Sequence, residues 1–260
     1  MEIMELIVII IASGIASLIT LFSGFGLGTL LMPVFALFFP VEIAIALTGV
    51  VHFFNNIFKL GLLGKHAQWK VVFSFGLPSI AGAFVGAWVL LSMTDLEPIA
   101  RYTMFGAPYV VQPVKLMIAV LMVYFAFAEM FPNLQSFAPS ARTLPIGGLL
   151  SGFFGGVSGH QGALRSAFLL RYGLAKEQFL ATGVVIACFV DFARLSIYSM
   201  QFTASDSMRH LDVVVAAVAS AFLGAYFGNR LLKKVTLAAV QKIVAVMLFV
   251  IAVALGAGLV

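Results

Sequence analysis

Long stretches without charge constrain this chain more than any other feature. Apolar runs at roughly 5–22, 41–62, 70–92, 113–131, 174–200, 211–232 and 236–259 each reach about the 18–25 residues that cross a bilayer as a helix. Apolar residues make up 62% of the chain and charged residues 10%, against roughly 45–50% and about 25% in a soluble domain. The fold class that follows is an all-α polytopic membrane protein, with the lipid bilayer as its surroundings. The first run follows Glu2 and Glu5 rather than Lys or Arg, and no A-x-A site succeeds it, so it is expected to be retained. The single cysteine, Cys188, rules out an intramolecular disulfide and a multi-cysteine metal site. The net charge of +5 lies mostly in loops, and no basic run suggests nucleic acid. Retention beside anionic lipid accounts for it.

Two shorter segments, about 27–39 and 143–172, are broken by glycines, and they belong to an internal repeat. An offset of 134 aligns "GIASLITLFSGFGLGTLLMP" from Gly14 with "GLLSGFFGGVSGHQGALRSA" from Gly148, and continues into "LTGVV" from Leu47 and "ATGVV" from Ala181. "GAFVGAWVLL" from Gly82 matches "GAYFGNRLLK" from Gly224 at an offset of 142. The chain therefore divides at about 1–131 and 132–260. The first half holds a broken helix over 5–39 and transmembrane helices at 41–62, 70–92 and 113–131. The second holds a broken helix over 143–172 and helices at 174–200, 211–232 and 236–259.

Loop charges orient the halves. If each broken segment enters and returns to its own side, Lys59, Lys65, Lys70, Arg142, Arg171, Lys176, Arg230, Lys233, Lys234 and Lys242 share one face. Arg101, Lys115, Arg194 and Arg209 take the other, a division of ten to four. The crowded face is expected to be cytoplasmic, both termini outside, and the two repeats inverted. The arms 27–39 and 143–156 reach only about 20 Å of a roughly 30 Å core and should stop inside it. Irregular backbone at that depth must be buried in protein or line a cavity. The tips "SGFGLG" (Ser23–Gly28) and "GGVSGHQG" (Gly155–Gly162) are thus expected to face each other near the midplane. A short helix follows each tip, with unpaired N–H groups and partial positive charge at its start, and glycine lets a ligand approach the backbone. Two such ends converging would hold an anion.

The duplicated pattern "SGFGLGTLLMP" (Ser23–Pro33) then "LTGVV", echoed by "SGHQGALRSA" (Ser158–Ala167) then "ATGVV", resembles the TauE/SafE family of sulfite and organosulfonate exporters, the 4-toluene sulfonate uptake permease family. The resemblance covers nearly the whole chain. Pro33 fits the proline that often follows a tip, whereas Ala167 replaces the second, and His160 and Gln161 interrupt the second glycine run. It implies secondary transport of a small sulfur oxyanion or sulfonate across the cell membrane, export preferred, with no catalysis.

Candidate substrate-binding residues are Gly24, Gly26 and Gly28 of the first tip and Ser158, Gly159, His160, Gln161, Gly162 and Arg165 of the second. Thr48, His52, Asn55, Asn56 and Thr182 join them from the following helices. Arg165 is the most demanding: the helix dipole disfavours a cation in a first turn, and its counterpart in the first half is Leu31. Either a distant acid such as Asp191 neutralises it, or the transported anion does. Asp191 and Arg194, spaced i,i+3, form a candidate gating or charge pair.

"GVSG" (Gly156–Gly159) also matches the signature of rhomboid-type intramembrane serine proteases. There the base comes from a later helix; here the later histidines are adjacent His160, expected to be poorly placed to face Ser158, and His210 at a helix mouth. An anion channel through the same tips is the other alternative. No HExxH, P-loop or dinucleotide fingerprint occurs, so no metal or cofactor is expected, and the oligomeric state is left open. Reporters placed singly at Met1, Lys65, Arg142 and Val260 on a cysteine-free background should label Lys65 and Arg142 from inside and both ends from outside. Ends labelled from the cytoplasm would overturn the charge argument.

Overall fold

The structure is a computed structural model and describes residues 3–23, 26–104, 106–130, 142–201, 210–231 and 237–259. Ten helices run through them: α1 (Ile3–Ser23), α2 (Leu27–Ala36), α3 (Val41–Leu63), α4 (Trp69–Thr94), α5 (Pro113–Met130), α6 (Leu144–Ser158), α7 (Gly162–Arg171), α8 (Lys176–Gln201), α9 (Leu211–Leu231) and α10 (Leu237–Gly256). Among the described residues five helices are long and apolar enough to cross a membrane, and α2, α5, α6 and the 245–256 part of α10 are shorter apolar helices. The exposed stripe Ile7, Ile11 and Ile15 on α1, matched by Val246, Val250 and Val253 on α10, is what lipid-facing helix surfaces require.

Each helix break has a local cause. Gly26 (φ +86°) and Gly159 (φ +79°) adopt backbone that side chains resist, and both stand immediately inside the tips. The second tip is shorter than the expected Gly155–Gly162, because α6 continues through Ser158 and α7 starts at Gly162. Only Gly159, His160 and Gln161 lie between them. Gly155 and Gly156 are helical, and their lack of side chains serves packing instead. At 15 and 10 residues, α6 and α7 extend about 22 and 15 Å, so neither is long enough to cross a roughly 30 Å bilayer core alone.

Glycine sets how closely the helices approach. A Cβ added at Gly148, Gly152 or Gly156 of α6 would lie 2.1, 1.9 or 2.3 Å from the carbonyl oxygens of Phe75, Ser79 and Ala83 on α4. From the other side, Gly82 and Gly86 would each come within 2.1 Å of the Leu149 and Phe153 carbonyls. Phe75 belongs to a π-helical turn in α4, Val72–Gly76, against the start of this seam. Gly224 of α9 meets the Gly14 carbonyl of α1 in the same way, at 2.1 Å, and Ser220 Oγ donates to the Ile10 carbonyl at 2.6 Å. This is small-residue packing of membrane helices, where dispersion rather than water drives association.

The extensive helix contacts are α4 with α6, α1 with α9, α5 with α10 and α3 with α8, joined by α4 with α8 and α9 with α3. Two strands, β1 (Ala100–Met104) and β2 (Ala107–Val111), add an antiparallel hairpin that an all-helical reading does not include. Its Tyr102 and Tyr109 stack across the register, and Tyr102 Oη donates to the Ala257 carbonyl at the end of α10.

Two of the charges counted for orientation are buried in helices. Lys59 is 4% exposed and Arg194 0%, so neither votes on orientation, and the division becomes nine against three. The asymmetry keeps its direction. Gly152→Val should destabilise the protein by at least about 3 kcal/mol, the upper range of overpacking, because both atoms at the contact are backbone-fixed. Gly61→Ala, with open space around it, should be neutral; equal thermal unfolding of the two variants in detergent would remove the glycine seam as a determinant of the fold.

Candidate functional site

The tips converge. A Cβ at Gly26 would lie 3.8 Å from the Gly162 Cα, and one at Gly28 would lie 3.1 Å from the Gly159 carbonyl oxygen. Gly24 lies outside the described residues. Ser151 Oγ holds the second tip by donating to the Gln161 carbonyl at 2.9 Å. Tyr198 Oη donates to the Gly156 carbonyl.

Behind the tips sits one carboxylate, Asp191 of α8, fully buried. Its Oδ1 accepts from Arg194 Nε at 3.0 Å and Nη2 at 2.8 Å, and from Gln161 Nε2 at 3.0 Å. Its Oδ2 accepts from His52 Nδ1 at 2.6 Å and from Asn56 Nδ2 at 3.4 Å. Donors from α3, α8 and the second tip therefore occupy all the lone-pair directions of one carboxylate. With Nδ1–H committed to Asp191, His52 presents Nε2 toward the first tip, where a Cβ on Gly26 would lie 3.1 Å from it.

Arg165 stands apart from this network. Its Nη1 donates to Gln161 Oε1 at 3.1 Å, and among the described residues it forms no ion pair. Gln161 thus turns its amide nitrogen to the carboxylate and its amide oxygen to the guanidinium. Arg165 receives only a neutral acceptor, although it is 5% exposed. It lines a cavity of about 30 Å³ together with Gly26, Thr20, Asn56 and Lys59, while Leu63, Phe179 and Leu180 supply apolar wall. Lys59 is a residue that sequence reasoning missed. It was counted as a charge of the crowded face at the end of the 41–62 helix, and its i+3 position from Asn56 was the available signal that it shares the Asn56 face.

The remaining candidate residues divide between bonds away from the tips and positions beside them. Asn55 Oδ1 accepts from Ser17 Oγ at 3.0 Å, and Thr182 Oγ1 accepts from the Gln68 N–H at 2.9 Å. Thr48 packs beside Gly28, its buried hydroxyl without a partner. His160 stacks on Phe125 with ring centroids 5.3 Å apart.

His160 Nδ1 is 2.9 Å from the Ser158 carbonyl and 3.2 Å from Ser158 Oγ, closer than the sequence suggested. The carbonyl contact requires Nδ1 to carry the proton, so that nitrogen cannot take one from the hydroxyl. Ser158 Oγ instead donates to the Phe154 carbonyl at 3.0 Å. The pair lacks an activated nucleophile.

A helical chain with five described helices long and apolar enough to cross a membrane, and with two helix breaks that converge, has the makings of a polytopic membrane protein. The chain is a member of the TauE family, sulfite exporter TauE/SafE, whose family model matches residues 9–255. No curated protein and no solved structure matches it. Membership implies a multi-pass membrane exporter of sulfite or a related sulfur anion.

Breaking the buried network has a calculable outcome. Asp191→Asn leaves Arg194 an uncompensated buried charge and should destabilise the protein by about 3–5 kcal/mol. Adding Arg194→Gln should restore part of that loss in thermal unfolding. An additive double variant would show that the two side chains do not act as a pair.

Proposed function

We propose that the protein carries a small sulfur-containing anion, sulfite, thiosulfate or an organosulfonate, outward across the cytoplasmic membrane by alternating access. One observation carries this reading: a buried arginine at the converging tips faces a cavity and has no carboxylate of its own among the described residues. Its fork of N–H donors suits oxyanion oxygens. The starts of α2 and α7 add partial positive charge from two directions.

The helix contacts support two equivalent halves, 1–131 and 132–260, and the loop charges favour their being inverted. Exchanging α1–α5 for α6–α10 turns the α1–α9 contact into α6–α4 and the α3–α9 contact into α8–α4, and maps α3–α8 and α5–α10 onto themselves. Such a relation is the usual basis of a carrier whose site lies at the repeat interface. The close approach of the Gly28 and Gly159 backbones, with no room for a side chain between them, favours a carrier over a channel.

Asp191 is the buried carboxylate among the described residues and is saturated by donors, which favours export without proton coupling. A membrane potential of about 100 mV, negative inside, supplies roughly 2.3 kcal/mol for each exported negative charge.

Arg165→Gln should preserve insertion and elution behaviour and raise the sulfite dissociation constant at least about tenfold, with a matching loss of efflux from sulfite-loaded proteoliposomes. An unstable Arg165→Gln protein that Asp191→Asn rescues would make the arginine structural and overturn the assignment.

A further inference from the structure

The buried charged side chains among the described residues are Lys59, Arg165, Asp191 and Arg194. Asp191 and Arg194 form a hydrogen-bonded ion pair at 2.8 Å. His52 donates to the same carboxylate and adds no charge as a neutral imidazole. Two positive charges remain, and both line the same cavity. Lys59 makes no ion pair with a described residue. Only 4% of the Lys59 surface is exposed, and the side chain lines the cavity that Arg165 shares. Holding two largely buried cations together at one small cavity is unfavourable twice over, through partial desolvation and through their mutual repulsion.

We infer that Lys59 is the second cationic contact of the anion site and makes it selective for divalent over monovalent oxyanions. This rests on the transport reading above and deepens it. Arg165 approaches the tips: its Nη2 lies 3.9 Å from where a Gly26 Cβ would be. Lys59 lies on α3, about 4.5 Å along the helix axis from Asn56. The guanidinium presents a planar fork to two oxygens, and the ammonium is a compact charge for another atom of the same anion. A monovalent sulfonate leaves one positive charge unneutralised in the cavity. A divalent oxyanion, such as sulfite in its dianionic form or thiosulfate, cancels both.

Thiosulfate and methanesulfonate separate charge from shape, since a terminal sulfur replaces a methyl on the same SO3 group. Binding of each is to be measured by calorimetry on the purified full-length protein, at neutral pH and matched ionic strength. The wild-type protein should bind thiosulfate at least about thirtyfold more tightly than methanesulfonate. Lys59→Met should weaken thiosulfate at least about tenfold and methanesulfonate by less than about threefold, so that the preference collapses. Lys59→Arg should keep it.

A wild-type ratio near one, or a ratio unchanged in Lys59→Met, would overturn the inference while leaving an anion site in place. No binding of either anion would remove the anion site itself. Should Lys59→Met fail to fold, the wild-type ratio decides, and a Lys59→Arg protein that folds but loses the preference would also count against the inference.

Discussion

The carboxylate of Asp191 is the interaction on which the site depends. It draws His52 and Asn56 from α3, Gln161 from the second tip and Arg194 from its own helix onto two oxygen atoms. Inside a low-dielectric core each bond is strengthened, and each would be expensive to leave unmade. Because Gln161 is held by its amide nitrogen, its oxygen is aimed at Arg165. The guanidinium is thereby oriented without being neutralised. A carboxylate in the place of Gln161 would give a closed ion pair with no demand for a ligand.

That arrangement needs a rigid frame, which the glycine seams supply. Between α4 and α6 the backbones approach so closely that no side chain fits at Gly148, Gly152 or Gly156. Helices too short to cross a bilayer core cannot be anchored by headgroups at both ends. Packing along their length does the anchoring for α6, and the Ser151 hydroxyl extends it to the tip. The glycines at 26 and 159 then act differently, through positive φ, by breaking the helix in the space available.

Much of this was legible in the sequence because membrane folding leaves a coarse and regular trace. Helix lengths, the two breaks, and the start of α7 at Gly162 follow from apolar run length and glycine spacing. Arg165 was conspicuous because a cation opposes the dipole of the helix it begins, and the Asp191–Arg194 pair followed from i,i+3 spacing. Lys59 was hidden by its position near a helix end, where a buried lysine and an interfacial one read alike. The hairpin at 100–111 was hidden in a mostly apolar connection between two apolar helices. Thr182 and Asn55 fell on helices that carry the site, yet their bonds to Gln68 and Ser17 depend on rotation about the helix axis. A repeat alignment does not determine that rotation closely enough.

The two cavity cations come from different parts of the chain. Lys59 is carried by α3 in residues 1–131, and Arg165 by α7 in residues 132–260. An anion that bridges them gains its full interaction only while α3 and α7 stand at the separation seen here. A ligand shifts a conformational equilibrium only by the difference in its affinity for the two states. Contacts made to one helix alone would move with that helix and provide no such difference. A bridge between α3 and α7 does provide one, since any relative displacement of the two helices weakens one contact or the other. Repulsion between the cations opposes this separation when the cavity is empty and is cancelled when the cavity is filled. Occupancy is therefore felt as a force between the parts of the fold that alternating access would have to move.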